Sequence, residues 1–478
     1  MRPPLYSYQE VGVDYLVRRG GGFVWDEPGL GKTRQAIVAA KKIGGPALIV
    51  CPNALKSWWR EEIRTLYPND RILVAGIGGR FGRKKNIEHL MDKLDSFPFW
   101  VIVHYEGIRL NMGEIRSIPW RVVIADECHF IKNRKAQRTQ ALFLITPQYA
   151  ARIGLTATPF GKNPADLWSQ LHWMVPESKA LRSYWRFYNL FVDYLTVHSD
   201  DKRTDEERAK DAADGVIRKY HGPSYRKVNG GKNLEDLAVI MNGFGLQRTK
   251  AAVAPDIPLL TETYLPLALD DKKQLTYYKR ILKAAVEVTI GEVDIIVPNV
   301  LARVTKLERI ISHPWEFDPT VKGVKFDWLM QWAEQQKYPV VVATNFKATA
   351  RYLAKVLNAG TPITGDIPLV LRDGIIGRWQ QGSTQFLVGT IATIGTGLNL
   401  QHAYTMVCYD QIYNPIYMEQ LKHRIHRVNL DHPVEVIYPY VEKTTNVVIM
   451  QSFRHRLNEM EYVRLLVEYL QKMEDFDD

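Results

Sequence analysis

The octapeptide DEPGLGKT (residues 26–33) follows a short apolar run, Phe23–Trp25, and precedes a helical pattern from Arg34 to Lys42. A strand, a glycine-rich turn and a helix in this order form a loop whose backbone N–H groups can surround phosphate oxygens. Gly29 and Gly31 allow the tight backbone of such a loop, since glycine lacks the Cβ that restricts φ. The first position carries Asp where the strict phosphate-loop pattern has Gly, so the match is to a relaxed form. A glycine-rich turn without a ligand is the alternative interpretation.

Two side chains complete the octapeptide, and a pair of carboxylates follows further along the chain. Lys32 is placed to reach the β- and γ-phosphates, and the Thr33 hydroxyl is placed to ligate Mg²⁺. In RVVIADECH (121–129), four apolar residues lead to Asp126 and Glu127, at the carboxyl edge of a predicted buried strand. Ligands bind at this edge of parallel sheets. One carboxylate can hold Mg²⁺ through water while its neighbour deprotonates an attacking water. The two motifs together predict a site for a nucleoside triphosphate with Mg²⁺.

The composition is that of a globular chain with a basic balance. Of the 478 residues, 46% are hydrophobic and 24% are charged, which excludes wholesale disorder. No apolar run is long enough for a membrane helix, and three well-separated cysteines cannot build a disulfide framework. We therefore expect a soluble intracellular protein, cytoplasmic in a bacterium or in the host cell of a virus, with the nucleus as the alternative. The formal charge of +11 favours nucleic acid over membrane as the partner, because neutralised phosphates release counterions.

Near-continuous apolar runs predict strands that are buried on both faces, as in parallel sheets covered by helices. The runs are Ala47–Cys51, Trp100–His104, Val122–Ala125, Val340–Ala343, Phe386–Val388 and Met406–Tyr409, with a helix predicted from Ala348 to Leu357. They fall into two groups, so the fold class is α/β, with two tandem parallel-sheet lobes and a mostly helical insertion between them. The predicted boundaries are 1–178 for the first lobe, 179–325 for the insertion and linker, 326–455 for the second lobe and 456–478 for a C-terminal helix and acidic tail.

The sequence also allows structural predictions for three further segments. The aromatic-rich text from Tyr184 to Leu195 predicts a helix, and the charged and glycine-rich text after it predicts an exposed helix with a mobile loop. The sequence VEVTIGEVDIIV (286–297) alternates and predicts a hairpin, which could act as a strand-separating pin or as a structural flap. The basic cluster at 80–85 is either a nucleic-acid patch or a solubilising loop.

Further motifs accompany GxGKT and DECH along the chain. They are LYSYQEVGVDYL, ALIVCPNALKSWWREEI, DECHFIKN, GLTATP (154–159), QRTK (247–250), ITGD (363–366), GTIATIGTGLNLQHA, YDQIYNP and QLKHRIHRV. The order of these motifs resembles that of the Swi/Snf family within the superfamily-two helicases and translocases. The resemblance covers about residues 5–440 and implies two RecA-like lobes, ATP and Mg²⁺ as cofactors, and a nucleic-acid-stimulated ATPase. We expect a compact bacterial or phage type, because few residues remain for a histone-reading domain.

The resemblance also assigns roles to residues, motif by motif. The catalytic residues are Lys32, Asp126, Glu127, Gln420, Arg424 and Arg427, with the two arginines acting on the γ-phosphate. The nucleotide-binding residues are Gln9, Gly29, Gly31, Lys32, Thr33, Gly397 and Asn399, and the metal ligands are Thr33 and Asp126. The DNA-backbone contacts are Asn53, Lys56, Thr156, Lys347, Thr393 and Thr396, and Thr156 is also placed against the phosphates or the acidic motif.

Some residues depart from the family pattern or allow two interpretations. His423 stands where the family usually has Asp, and Asn429-Leu430 replace a Gly-Gln pair, which puts in question how ATP hydrolysis is coupled to DNA. Trp58 and Trp59 could stack on bases, but their helical positions beside apolar strands favour a place in the core.

The function that we expect is an ATP-driven motor on duplex, forked or branched DNA, serving replication, recombination or repair. We expect a monomer, with a single-strand-binding protein as a candidate partner for the acidic tail. The alternatives are a strand-separating DNA or RNA helicase, and a nucleic-acid-binding scaffold whose ATPase has decayed. The intact set of catalytic side chains argues against the scaffold.

Overall fold

The computed structural model describes residues 4–75, 100–160, 163–198, 224–291, 297–395, 398–413, 415–428, 430–455, 462, 465–466 and 468–470. The chain forms two compact units. The first unit comprises Met1–Asp26 and Lys32–Arg248, and the second comprises Glu27–Gly31 and Thr249–Asp478.

The first unit alternates helices and strands along most of its length. Its elements are, in chain order, α1 (Ser7–Arg19), β1 (Gly21–Val24), α2 (Lys32–Ile43), β2 (Ala47–Cys51), α3 (Lys56–Leu66), β3 (Ile72–Val74), β4 (Trp100–His104), α4 (Tyr105–Leu110), α5 (Met112–Ser117), β5 (Val122–Asp126), α6 (Gln137–Ile145), β6 (Ala151–Leu155), α7 (Ala165–Met174), α8 (Tyr184–Phe191), β7 (Val192–His198), β8 (Ser224–Gly231), α9 (Leu234–Phe244) and β9 (Gly245–Leu246).

A seven-stranded parallel sheet in the order β3-β4-β2-β5-β6-β1-β9 forms the centre of this unit. Its strands are buried on both faces, because alternate residues enter different cores. In β2, Leu48 and Val50 pack into one apolar cluster, whereas Ala47, Ile49 and Cys51 pack into the other. Helices must therefore cover both faces, which is why these strands read as continuous apolar runs.

The second unit repeats the same architecture with fewer strands. Its elements are α10 (Lys250–Val253), β10 (Leu260–Leu267), α11 (Lys272–Gly291), α12 (Val297–Ser312), α13 (Val324–Ala333), β11 (Val340–Thr344), α14 (Lys347–Val356), α15 (Leu369–Gln380), β12 (Phe386–Thr390), α16 (Ile391–Ile394), β13 (Thr405–Cys408), α17 (Pro415–Lys422), β14 (Val434–Val441) and α18 (Thr445–Arg454). The five strands are parallel in the order β10-β14-β13-β11-β12. Each unit is thus an α/β parallel-sheet body, and the predicted fold class is confirmed.

The six strands predicted from apolar runs are all present; two have the predicted ends, and the other four differ by one or two residues at one or both ends. The helix predicted from Ala348 to Leu357 is α14. Its buried side chains follow the helical repeat at Thr349, Ala350, Leu353 and Ala354. The domain boundaries predicted at 178, 325 and 455 remain predictions.

The helix predicted from Tyr184 to Leu195 is correct only as far as Phe191. From Val192 the chain is a strand, β7, which pairs antiparallel with β8 from Val192↔Gly231 to His198↔Ser224. A loop was expected where β8 lies, while residues 199–223 are outside the described part of the chain. The partner strand is distant in sequence, so the local pattern could not indicate the pairing.

The hairpin predicted over 286–297 is wrong in its described part. Helix α11 continues through Gly291 and α12 begins at Val297, while residues 292–296 lie outside the described residues. Short runs rich in Val and Ile do not distinguish a helix from a strand by periodicity. Here the run continues a helix that Tyr278 and Leu282 already anchor in an apolar core.

Among the residues that the structure describes, no helix combines the length and the apolar character that a bilayer span requires.

Candidate active site

The carboxyl ends of three neighbouring strands in the first unit lie level with one another. Val24 at the end of β1 pairs with Leu155 of β6, and Leu155 pairs on its other side with Asp126 of β5. Because adjacent strands lie about 4.8 Å apart, the loops after β1 and β5 begin roughly 10 Å apart, with the loop after β6 between them. The sheet therefore places Asp26, the acidic pair and Thr156 at or just beyond the strand ends of one edge.

The glycine-rich loop has the backbone that phosphate binding requires. Gly29 and Gly31 have φ values of 91° and 72°, in the region where a Cβ would be strained. Helix α2 begins at Lys32, so the N–H groups of its first turn, which have no acceptor within the helix and include that of Thr33, lie at the end of the loop. The Lys32 ammonium donates to the backbone carbonyl of Asp26 at 2.6 Å.

The acidic pair combines burial with a strained backbone. Asp126 is 8% exposed, and Glu127 has φ 49° and ψ 52°. This left-handed conformation costs a residue other than glycine about 1–3 kcal/mol and is concentrated at functional sites. Burial, and next the Glu127 carboxylate, raise the pKa of Asp126 well above its usual range, whereas Lys32 lowers it. A cation near Asp126 would therefore favour the state in which both carboxylates are ionised.

Glu127 shares a small polar group with His129 and Thr156. The His129 Nδ1 atom lies 3.0 Å from the Thr156 hydroxyl and 3.3 Å from Glu127 Oε2. The Thr156 hydroxyl donates to Glu127 Oε2 at 3.5 Å and accepts from the Thr158 N–H at 3.1 Å. Thr156 is wholly buried and contacts the acidic motif, which is one of its two predicted placements. Its DNA contact remains a prediction.

Asp26, the unusual first residue of the octapeptide, pairs with an arginine 222 residues away. Arg248 donates from Nε to Asp26 Oδ1 at 2.9 Å and from Nη2 to Asp26 Oδ2 at 2.6 Å. The same guanidinium donates to Gln35 Oε1 at 2.7 Å and to the Tyr8 carbonyl. Bidentate pairs of this kind are among the strongest hydrogen bonds in proteins. Arg248, in the QRTK motif, thus joins the start of the glycine-rich loop to α1 and α2.

Gln9, the predicted adenine contact, caps its own helix in this structure. Its side-chain carbonyl accepts the Tyr6 N–H at 3.1 Å, its amide donates to the Tyr8 hydroxyl at 3.4 Å, and it is 3% exposed. Its predicted contact with adenine remains a prediction.

In the second unit, the two predicted arginines hold the segment that follows α16. Arg424 Nε donates to the Gly395 carbonyl at 2.8 Å, and Arg427 Nη2 donates to the Leu398 carbonyl at 3.1 Å. The QLKHRIHRV and GTIATIGTGLNLQHA motifs therefore form one cluster within this unit.

Other predicted residues of the second unit lie around this cluster. Asn399 is half-buried and accepts the Gln401 N–H at 3.3 Å, and Gln420 lies half-buried in α17. Thr396 and Gly397 lie outside the described residues.

The predicted DNA contacts of the first unit differ in exposure. Asn53 is exposed. Lys56 is 2% exposed, and its ammonium donates to the Ala75 carbonyl at 2.9 Å. Burial lowers the pKa of Lys56. In this conformation the Lys56 ammonium faces protein, so a contact with phosphate requires another rotamer. The basic cluster at 80–85 lies outside the described residues.

Two predicted DNA contacts of the second unit lie beside one backbone position. Lys347 is exposed and lies 3.4 Å from Asp366 Oδ1. Thr393 is 6% exposed, and its hydroxyl lies 2.8 Å from that of Thr390. A Cβ at Gly365 would lie within 4.0 Å of both Lys347 and Thr393, so the two side chains meet at the ITGD motif.

Comparison with known proteins identifies the family. A family model described as an SNF2-related domain matches residues 8–316, which is more than half of the chain. The chain belongs to the SNF2-related family. A second model, the helicase conserved C-terminal domain, matches residues 324–429 of this SNF2-related chain.

Relatives of the SNF2-related chain are longer proteins. It is 26% identical over 95% of its length to an Arabidopsis thaliana protein named a probable ATP-dependent DNA helicase, of which it covers 41%. It is 25% identical over 96% of its length to a Caenorhabditis elegans homologue of the SWI/SNF-related matrix-associated actin-dependent regulator of chromatin subfamily A-like protein 1, of which it covers 62%. A solved SWI2/SNF2 ATPase core from Sulfolobus solfataricus, in complex with double-stranded DNA, aligns at 22% identity with a TM-score of 0.43, covering 99% of this chain and 95% of that one.

The SNF2-related chain carries His423 at a position where the resemblance indicates Asp, and the structure shows what it does there. Lys250 donates to His423 Nδ1 at 3.0 Å, to His426 Nδ1 at 3.0 Å and to the His426 carbonyl at 2.8 Å. The other ring nitrogens, Nε2, lie beside acceptors, the Pro258 carbonyl for His426 and Glu419 for His423. Both Nδ1 atoms therefore act as acceptors on neutral rings.

An Asp at 423 would offer Lys250 an acceptor in nearly the same place, because Oδ1 and Nδ1 are both two bonds beyond Cβ. The difference is protonation. Burial lowers the pKa of His423 to about 4, and burial also lowers the pKa of His426. The histidine thus substitutes for the carboxylate only while its ring stays neutral.

We expect His423→Asp to make the SNF2-related chain less sensitive to acid. In the folded chain His423 binds a proton only near pH 4, whereas in the unfolded chain it does so near pH 6.5. The free energy of unfolding should therefore fall as the pH falls from about 6.5 to 4, by at most about 3 kcal/mol for this residue. The aspartate should remove most of that slope, measured as thermal unfolding midpoints across this range. Replacing the exposed His455 with Asp should leave the slope unchanged. Equal slopes in wild type and His423→Asp would contradict the assignment.

Proposed function

We propose that this SNF2-related chain is a DNA-stimulated ATPase that uses ATP hydrolysis to translocate along duplex DNA. The observation that carries the proposal is the level row of strand ends, which places Asp26, the acidic pair and Thr156 at one edge of a parallel sheet, with Lys32 at the start of the helix that follows β1. Family membership supports the same activity, and the plant relative is named a probable ATP-dependent DNA helicase.

The residues at this edge fit a nucleotide with Mg²⁺. Magnesium takes oxygen ligands and is usually held by one or two carboxylates together with substrate phosphates. Thr33 and Asp126 supply a hydroxyl and a buried carboxylate. Among the described residues, no group of three or more His, Cys, Asp and Glu side chains is placed to hold a metal. When bound, Mg²⁺ neutralises the charge that develops on the phosphates.

The protein's own groups divide the work of hydrolysis. Lys32 and the N–H groups of the glycine-rich loop bind the phosphates, and Glu127 accepts a proton from the attacking water. Arg424 and Arg427 add positive charge at the γ-phosphate as the transition state forms, a contribution of about 10³–10⁵ in rate for such arginines. The strained backbone of Glu127 and its contact with Thr156 fix the position of the base.

The nucleic-acid partner follows from charge and from the family. A formal charge of +11 favours a polyanion, and contacts from Asn53, Lys347 and Thr393 would be to the sugar-phosphate backbone rather than to base edges. More specifically, we propose that the chain acts on forked or branched DNA as a monomer. We further propose that it is a compact protein of bacterial or phage type in the cytoplasm, and that a single-strand-binding protein binds its acidic tail.

The test is the rate of ATP hydrolysis with duplex DNA, forked DNA, single-stranded DNA and RNA, with Lys32→Ala as the background control. Duplex and forked DNA should stimulate most. The logarithm of the DNA affinity should fall with the logarithm of the salt concentration by about 0.9 per neutralised phosphate on duplex, against about 0.7 on single strands. Strongest stimulation by RNA or single strands would favour a strand-separating helicase instead. Regression of a labelled fork, with ATP but not with a non-hydrolysable analogue, tests the finer proposal.

A further inference from the structure

Trp59 makes a polar contact with a residue of the proposed metal site. The side chain lies in α3 and is wholly buried, as its helical position predicted. Its indole N–H donates to Asp126 Oδ2 at 2.7 Å. A core tryptophan thus reaches the carboxylate that is proposed to ligate Mg²⁺, and both residues belong to the first unit.

The other carboxylate oxygen and the backbone carbonyl of Asp126 also accept hydrogen bonds. The Glu127 N–H donates to Asp126 Oδ1 at 3.0 Å, and the Tyr105 hydroxyl donates to the Asp126 carbonyl at 2.8 Å. The torsion that turns a carboxylate about its last bond is soft, so an aspartate without such bonds would sample many orientations. With one N–H on each oxygen, the plane of this carboxylate is set, and each oxygen keeps a lone pair for another partner.

We propose that Trp59 is a positioning residue for the metal site, acting through the carboxylate of Asp126. Hydrogen bonds to a metal-ligating side chain orient it toward the ion, and their loss typically costs about 10–100-fold in metal affinity or activity. Trp59 itself touches neither nucleotide nor metal in this assignment.

The position of Trp59 in the chain adds a route by which DNA could act on the metal site. Helix α3 begins at Lys56, directly after the segment that carries Asn53, and Trp59 lies one turn further on. A shift of the start of this helix would move the indole relative to Asp126. This part of the inference rests on the proposed DNA contacts at Asn53 and Lys56, whereas the positioning role does not.

The experiment compares Trp59→Phe with Trp100→Phe. Trp100 is an equally buried tryptophan of the same unit whose indole N–H donates to Asp70 Oδ2 at 2.9 Å, so its replacement removes the same kind of bond elsewhere. Calorimetry measures the affinity for a non-hydrolysable ATP analogue with Mg²⁺ and with EDTA. We expect Trp59→Phe to lose about tenfold or more of the tightening that Mg²⁺ provides. Its affinity in EDTA should stay at the wild-type value, which also shows that the nucleotide site is folded. Trp100→Phe should retain both affinities.

Two outcomes would overturn the positioning role: a wild-type Mg²⁺ effect in Trp59→Phe, or an equal loss in Trp100→Phe. A second test compares Asp126→Asn with the double variant that also carries Trp59→Phe. The double variant should show no further loss of the Mg²⁺ effect, and an additional loss would contradict action through Asp126. Duplex DNA should strengthen the Mg²⁺ effect in the wild type but not in Trp59→Phe. If DNA has no influence in the wild type, the coupling through α3 is wrong while the positioning result stands by itself.

Discussion

Replacing Arg427 with Ala is expected to lower the rate of ATP turnover by about 10³–10⁵-fold while ATP still binds. The guanidinium is assigned to charge that develops at the γ-phosphate in the transition state, so its loss should appear in kcat rather than in ground-state affinity. Single-turnover hydrolysis and equilibrium ATP binding separate the two quantities. Arg424→Ala should behave in the same direction.

These arginines also bind backbone carbonyls of their own unit, so a structural effect must be separated from a catalytic one. Arg427→Lys keeps a positive charge but loses the planar fork, and we expect it to retain stability while most of the rate is lost. Arg378→Ala, on α15 of the same unit, is the matched control and should turn over ATP at the wild-type rate. An Arg427→Ala variant that is stable and hydrolyses ATP normally would remove this residue from the chemistry.

Glu127→Gln is expected to slow ATP turnover by about 10²–10⁴-fold, because the amide keeps the size of the side chain but cannot accept a proton. Binding of ATP and of DNA should persist, so the variant should accumulate in a nucleotide-bound state. The measurement is the burst and steady-state rate of phosphate release with duplex DNA present.

Glu106→Gln is the control for this substitution, since Glu106 is an exposed carboxylate of the same unit, 3.5 Å from Arg138. Its turnover should equal that of the wild type. If Glu127→Gln hydrolyses ATP at the wild-type rate, another group is the base, and His129, 3.3 Å from Glu127, becomes the next candidate.

The sheet frameworks could be predicted from the sequence because their signal is local. A fully buried parallel strand such as β2 is apolar at every position. Glycines in the loop after β1 mark a backbone that few other residues adopt. The placement of Asp126 at the carboxyl edge of a strand followed from the apolar run before it, whereas the placement of Thr156 beside the acidic motif came from the family resemblance.

The partners of individual polar side chains could not be predicted, because they depend on contacts distant in sequence. Asp26 appeared to weaken the phosphate-loop motif, yet it is the acceptor for Arg248. Trp59 was correctly placed in the core, but its bond to Asp126 depends on how α3 packs across the sheet. The sequence could not indicate that Lys56 donates to the Ala75 carbonyl, and its contact with DNA stays a prediction. A motif fixes which chemistry is available, and packing decides which atom each group faces.

Displacement of the third strand from a DNA triplex tests the central claim most directly, because a motor that moves along the duplex must dislodge that strand without separating the duplex itself. With ATP, the wild-type chain should release the third strand from linear duplex, whereas Glu127→Gln with ATP and the wild type with a non-hydrolysable analogue should not. If duplex DNA stimulates ATP hydrolysis by the wild-type chain but the third strand stays bound, the chain is a DNA-dependent ATPase that does not translocate, and the proposal is contradicted.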